Sequence, residues 1–167
     1  MNLRTSLLTL AVAASLFSSP TMAGLDEGAR AMREGQYREA FREWKPLAEQ
    51  GNVDAQASIA VMYHAGRGVP RDFRQAFAWY RRAAEQGSAA SQANLALMYS
   101  RGLGVAADEV MAYVWYDLAT AGGEARHRRA RDRVAGRLSA AQLKKAKRLS
   151  RQYSQKYVTP FRRGAAG

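Results

Sequence analysis

"GNVDAQASIAVMYHAGRGVPRDFRQAFAWYRRAAEQ", residues 51–86, runs directly into "GSAASQANLALMYSRGLGVAADEVMAYVWYDLATAG", residues 87–122, and the two agree at 14 of 36 positions. The agreement falls on residue types that set backbone and packing: Gln56 and Gln92, Met62 and Met98, Tyr63 and Tyr99, Gly66 and Gly102, Gly68 and Gly104, Asp72 and Asp108, Trp79 and Trp115, Tyr80 and Tyr116. A repeat of this period marks a stacked architecture, in which no unit buries its apolar face alone.

Inside each unit the apolar spacing is helical on both sides of the glycine pair. Ala57, Ala60, Met62 and Tyr63 precede it, and Ala76, Trp79, Tyr80 and Ala83 follow it, which predicts two helices joined by a tight turn. Gly66 stands where a left-handed residue closes the first helix, and Asp72 where a carboxylate caps the second. Pro70 stiffens the approach to that cap, but Ala106 replaces it in the second unit.

The same shift reaches backwards. "EAFREWKPLAEQG", residues 39–51, lies over "QAFAWYRRAAEQG", residues 75–87, so a shorter, degenerate first pair is expected over 25–50 with a turn at Gly35-Gln36. Forwards the pattern decays into one helix within 123–137 and a last helix that starts at the capping-box type sequence Ser139 to Gln142 and ends near Tyr157. On that last helix Leu143, Ala146, Leu149 or Ser150, Tyr153 and Tyr157 fall on one stripe, while Lys144, Lys147, Arg148 and Arg151 fall on another. One face docks and one is charged, as the terminal cap of a solenoid requires.

Residues 1–23 read as a secretory leader: Arg4, an apolar core from Leu7 to Phe17, and the small-residue ending Thr21-Met22-Ala23. Cleavage after Ala23 is expected, leaving a soluble chain in the periplasm or outside the cell. There is no cysteine, which excludes disulfides, thiol catalysis and thiolate metal sites. Charge is uneven. Residues 24–125 hold 11 Lys and Arg against 13 Asp and Glu, whereas residues 126–163 hold 14 against the single acid Asp132, so the C-terminal third carries nearly all of the +12. The expected organisation is a leader (1–23), a solenoid (24–123, with units at 25–50, 51–86 and 87–122), a basic helical cap (124–158) and a flexible tail (159–167).

The repeated pattern, "DAQASIAVMYHAGRGVPRDFRQAFAWYRRAAEQG" at 54–87 and "SQANLALMYSRGLGVAADEVMAYVWYDLATAGG" at 91–123, resembles the Sel-1-like repeat, a relative of the tetratricopeptide repeat. The resemblance implies an all-α, right-handed α/α superhelix of about three helix pairs. It further implies a surface for protein–protein contact, often as an adaptor in bacterial envelope assemblies, and no catalytic residues. Cysteine-rich relatives have been described as acting on β-lactams, and a chain without cysteine departs from their pattern.

"GRGVPRD" could cradle an anion, but a phosphate loop follows a strand and ends in Gly-Lys-Ser/Thr. Its recurrence as "GLGVAAD" without either arginine assigns the glycines to turn geometry. His64 and His127 are the only histidines, and neither has metal-ligand spacing, so no metal or cofactor is expected. The aromatics at fixed repeat phase belong to inter-helix packing.

Two binding surfaces remain. Variable positions on the first helix of each unit, Ser58, His64, Asn94 and Arg101, are candidates for contact with an envelope protein. Arg126, Arg128, Arg129, Lys144, Lys147, Arg148 and Arg151 are candidates for a polyanion: anionic lipid, lipopolysaccharide or acidic polysaccharide, with nucleic acid not expected behind a leader. The expected function is a non-catalytic scaffold or adaptor. Polyanion or membrane-surface binding is the alternative, and an enzyme acting on cell-wall or β-lactam substrates has no residue support.

Overall fold

The computed structural model describes residues 20–160. Most of the expected leader, and residues 161–167 of the expected tail, lie outside the described residues. Among the described residues there are eight α-helices, a short 3-10 turn at Thr120–Gly122 and no strand: α1 (Pro20–Arg33), α2 (Tyr37–Glu49), α3 (Val53–Ala65), α4 (Phe73–Glu85), α5 (Ala89–Arg101), α6 (Glu109–Ala119), α7 (Ala125–Ala135) and α8 (Ala140–Tyr157). Each of the first six packs on its neighbours in chain order, so three helix pairs stack into a helical-repeat solenoid.

The helix ends follow from local chemistry. Gly66 and Gly102 close α3 and α5 in the left-handed region, at φ 69° and 67°. Asp72 accepts from the amides of Arg74 and Gln75, and Asp108 from that of Met111. Ser139 and Gln142 complete a reciprocal capping box at the start of α8. α1 spans Pro20–Arg33, so the first helix already covers residues ahead of the expected start at Leu25.

Two invariant glutamines join the pairs. Gln56 donates to the Ala48 carbonyl of α2 and Gln92 to the Ala84 carbonyl of α4, each at 3.1 Å. Both side chains are buried, so each repeat's first helix is stitched to the end of the preceding pair. Gln86 adds a bond from its amide to the Gln56 side-chain oxygen at 2.8 Å.

The C-terminal helices do not repeat the hairpin. α7 and α8 both pack on α6. Val134 of α7 joins Val110 and Tyr113 of α6 and Ala146 of α8 in one cluster. Further along α8, Tyr153 and Tyr157 meet Trp115, with ring centroids 5.5 Å and 5.8 Å away. α8 therefore runs in the same direction as α6, whereas α7, whose His127 near its start meets the Ala119 carbonyl at the end of α6, runs against it. α8 also reaches α4, which puts it on the α4 side of α6, while α7 lies on the α5 side. The charged stripe is turned out as expected: Lys144, Lys147, Arg148 and Arg151 are all exposed.

Candidate functional site

Between α5 and α7 runs a groove of about 450 Å³, lined by Ala93, Asn94 and Leu97 on one wall and Arg126, Ala130 and Arg133 on the other, with Tyr116 of α6 beneath. It continues into a recess of about 190 Å³ bounded by Ser100, Arg101 and Arg137. Asn94, Leu97 and Arg101 share a face of α5 because they are three and four residues apart. Arg126, Ala130 and Arg133 follow the same rule on α7, and Arg137 lies in the turn just after it.

The electrostatics converge on Tyr116. Burial raises its hydroxyl above the ordinary value, while Arg133, Arg101 and Arg137 pull it the other way, and all three arginines line the same recess as the phenol. Arg137 is held in place: it donates to both carboxylate oxygens of Glu109, at 3.1 and 2.8 Å, and to the Ser100 hydroxyl at 3.0 Å. Arg126 pairs with Glu124 at 2.7 Å. Arg101 and Arg133 have no carboxylate partner among the described residues, which leaves two cations facing the groove.

Two of the residues expected to contact a protein partner, Asn94 and Arg101, and one expected to bind a polyanion, Arg126, thus line one continuous groove. Ser58 occupies on α3 the repeat position of Asn94. Next along that face, at the position of Leu97, is Val61, one of only two large hydrophobic side chains exposed among the described residues. His64 is turned differently. Its ring meets Phe73 edge-on at 5.3 Å, and its Nδ1 is buried without a partner. The paired positions change together between units, since Ser100 and Glu109, which replace His64 and Phe73, are joined by a hydrogen bond of 3.3 Å. Arg128 and Arg129 are exposed on α7. Lys144, Lys147, Arg148 and Arg151 lie on α8, across α6 from the groove.

Tyr116, Leu97, Arg133 and Arg137 were not singled out by sequence. Helical phase from Arg126 reaches Arg133, whereas Arg137 lies past the end of α7. Tyr116 was assigned to packing, and it does pack while also forming the groove floor. Among the described residues no group of His, Asp or Glu side chains is placed to hold a metal ion.

Stacked helix pairs with a lined groove and inter-repeat glutamine bonds define a helical-repeat solenoid, a class that typically serves as a protein-interaction scaffold. The Sel1 repeat family model matches residues 53–88 and 89–124. A Sel1 repeat protein from Oxalobacter formigenes is 35% identical with a TM-score of 0.62, over 67% of this chain and 87% of that one. A protective antigen of uropathogenic Escherichia coli strains, described as displaying an SLR fold, is 34% identical with a TM-score of 0.80. That match takes in 86% of this chain but only 32% of the antigen. No curated protein matches. The chain belongs to the Sel1 repeat family.

Proposed function

We propose that the chain is a non-catalytic adaptor that seats an extended segment of a protein partner in the groove between α5 and α7. One observation carries this reading: a groove lined by the apolar and aromatic Leu97, Ala130 and Tyr116 is overlooked by Arg101 and Arg133, neither of which has a carboxylate partner among the described residues. A segment with one apolar anchor flanked by carboxylates matches that lining. Charge-assisted bonds to the two arginines would set its register, and the buried anchor would supply most of the affinity. The leader expected over residues 1–23 is the reason for placing this adaptor in the periplasm or beyond.

Site-specific photo-crosslinking in cells tests the reading. A crosslinker at Leu97 is expected to trap a discrete partner peptide, and Arg101→Glu with Arg133→Glu to abolish the trapping. Equal trapping from an exposed position outside the groove, such as Arg42, or indifference to the two charge reversals, would sink it.

A further inference from the structure

The cations of the solenoid body are outnumbered by its acids, 11 Lys and Arg against 13 Asp and Glu over residues 24–125, and four of those cations pair along single helices. Glu27 takes Arg30, Glu39 takes Arg42, Glu49 takes Lys45 and Glu85 takes Arg81 along single helices. Arg131 of α7 meets Asp117 and Asp132, and Arg137, just past the end of that helix, meets Glu109. α8 breaks the pattern: it carries Lys144, Lys145, Lys147, Arg148, Arg151 and Lys156 and no acid at all. None of these six forms an ion pair among the described residues, and all six are exposed. Lys144 stands three and four residues from Lys147 and Arg148, and Arg151 stands four and three from the same two. Like charges so spaced destabilise a helix. The charge therefore works against the helix's own stability and answers no acid on the helix itself, although Lys156 also lies over the Tyr157 ring at 4.9 Å.

The outer face also lacks anything to insert or to stack. Tyr153 and Tyr157 are turned onto Trp115, Leu143 and Leu149 pack against the α6 cluster, and the remaining exposed positions include Gln142, Gln152 and Gln155. Single-stranded nucleic acid is gripped through aromatic stacking platforms, and a folded protein partner through a packed, desolvated centre. This face offers neither. Four of its six cations are lysines, compact hydrated charges without the planar fork of arginine, and they suit a laterally mobile layer of phosphates.

We propose that the outer face of α8 adsorbs onto anionic phospholipid headgroups, with the helix lying along the bilayer surface and its apolar stripe still docked on α6. The attraction is electrostatic, without insertion. Because α8 lies on the α4 side of α6, the α5–α7 groove stays open during adsorption, and a partner seated there would be held at the membrane. The proposal does not depend on the groove being occupied.

Deleting α8 would uncover Trp115, so the test uses substitutions in the full chain. Partitioning is measured onto vesicles of phosphatidylcholine with increasing phosphatidylglycerol, and expressed relative to pure phosphatidylcholine vesicles to remove any contribution from the apolar stretch Leu7–Phe17. The ratio is expected to climb with the anionic fraction and to collapse with added salt. Lys144→Gln, Lys147→Gln, Arg148→Gln and Arg151→Gln together should lower it by about fivefold per cation, several hundred-fold in all, with the helical circular dichroism unchanged. An equal-charge control, Arg33→Gln, Arg38→Gln, Arg67→Gln and Arg74→Gln, removes four exposed cations from the first two pairs and should retain most of the preference. The proposal is overturned if the two variants fall equally, if phosphatidylglycerol confers no preference, or if DNA retains the chain more tightly than anionic vesicles at the same ionic strength.

Discussion

Gly104 lies directly against Phe73: a Cβ at position 104 would sit 2.2 Å from the Phe73 carbonyl oxygen. One unit earlier Gly68 meets Tyr37 in the same way, its Cβ position 2.5 Å from that oxygen. Each glycine loop therefore rests on the first turn of the preceding pair's second helix, and glycine is required there for space as well as for its positive φ. Gly102 differs. It shares the positive φ of 67°, but the nearest atom to its Cβ position is 3.5 Å away.

The two positions should separate conformational strain from close approach. Gly102→Ala should cost about 1–2 kcal/mol, the usual penalty for a left-handed residue with a Cβ. Gly104→Ala should cost about 3 kcal/mol or more, because a backbone carbonyl has to move as well. Urea denaturation followed by circular dichroism compares them. Equal losses would show that the contact with Phe73 yields freely.

Gln92 should behave as a buried joint. Gln92→Ala removes its bond to Ala84 and leaves a void, at about 1–3 kcal/mol. Gln92→Glu should introduce a pH dependence instead. A carboxyl buried against a carbonyl has its folded-state pKa raised, so the variant loses stability as pH rises above the ordinary glutamate range. A thermal-melt series across pH checks both, and a Glu variant insensitive to pH would mean that water reaches the site.

His64 supplies the opposite sign. Burial, then Arg101 and Arg71, hold its imidazole below the ordinary 6.5. Between that lowered value and 6.5 the unfolded chain binds more protons than the folded one, so stability is complete above 6.5 and declines as pH falls through the window. His64→Phe keeps an edge-on aromatic beside Phe73 and should flatten this part of the profile. Parallel melting curves for the two proteins between pH 7 and pH 5 would refute the assignment.

The helix pairs were legible because their determinants are local. Gly66 and Asp72 announce a helix end and a cap by themselves, and the period of 36 residues fixes which segments are equivalent. The stripe of α8 was legible for the same reason. What sequence left hidden depends on distances between elements. Nothing near Gly104 points to Phe73, and Gln92 is visibly invariant between units without naming Ala84 as its acceptor. The groove needed the phase of α7 against α5, and α7 carries no repeat pattern from which to read it. His64 illustrates the limit well: variation between units suggested an outward contact, yet the variation is matched by its neighbour, with Phe73 exchanging for Glu109 as histidine exchanges for Ser100.

The glycine loops also give the solenoid a direction. The loop of the second unit is shaped against α2 and that of the third against α4, so each rests on a surface that lies earlier in the chain. A polypeptide emerging amino end first, from a ribosome or through a translocation pore, meets each template already built when the loop that needs it arrives. Threaded the other way, every loop would wait for its support. The order of synthesis is thereby written into the contacts, with α8 arriving last to close over Trp115.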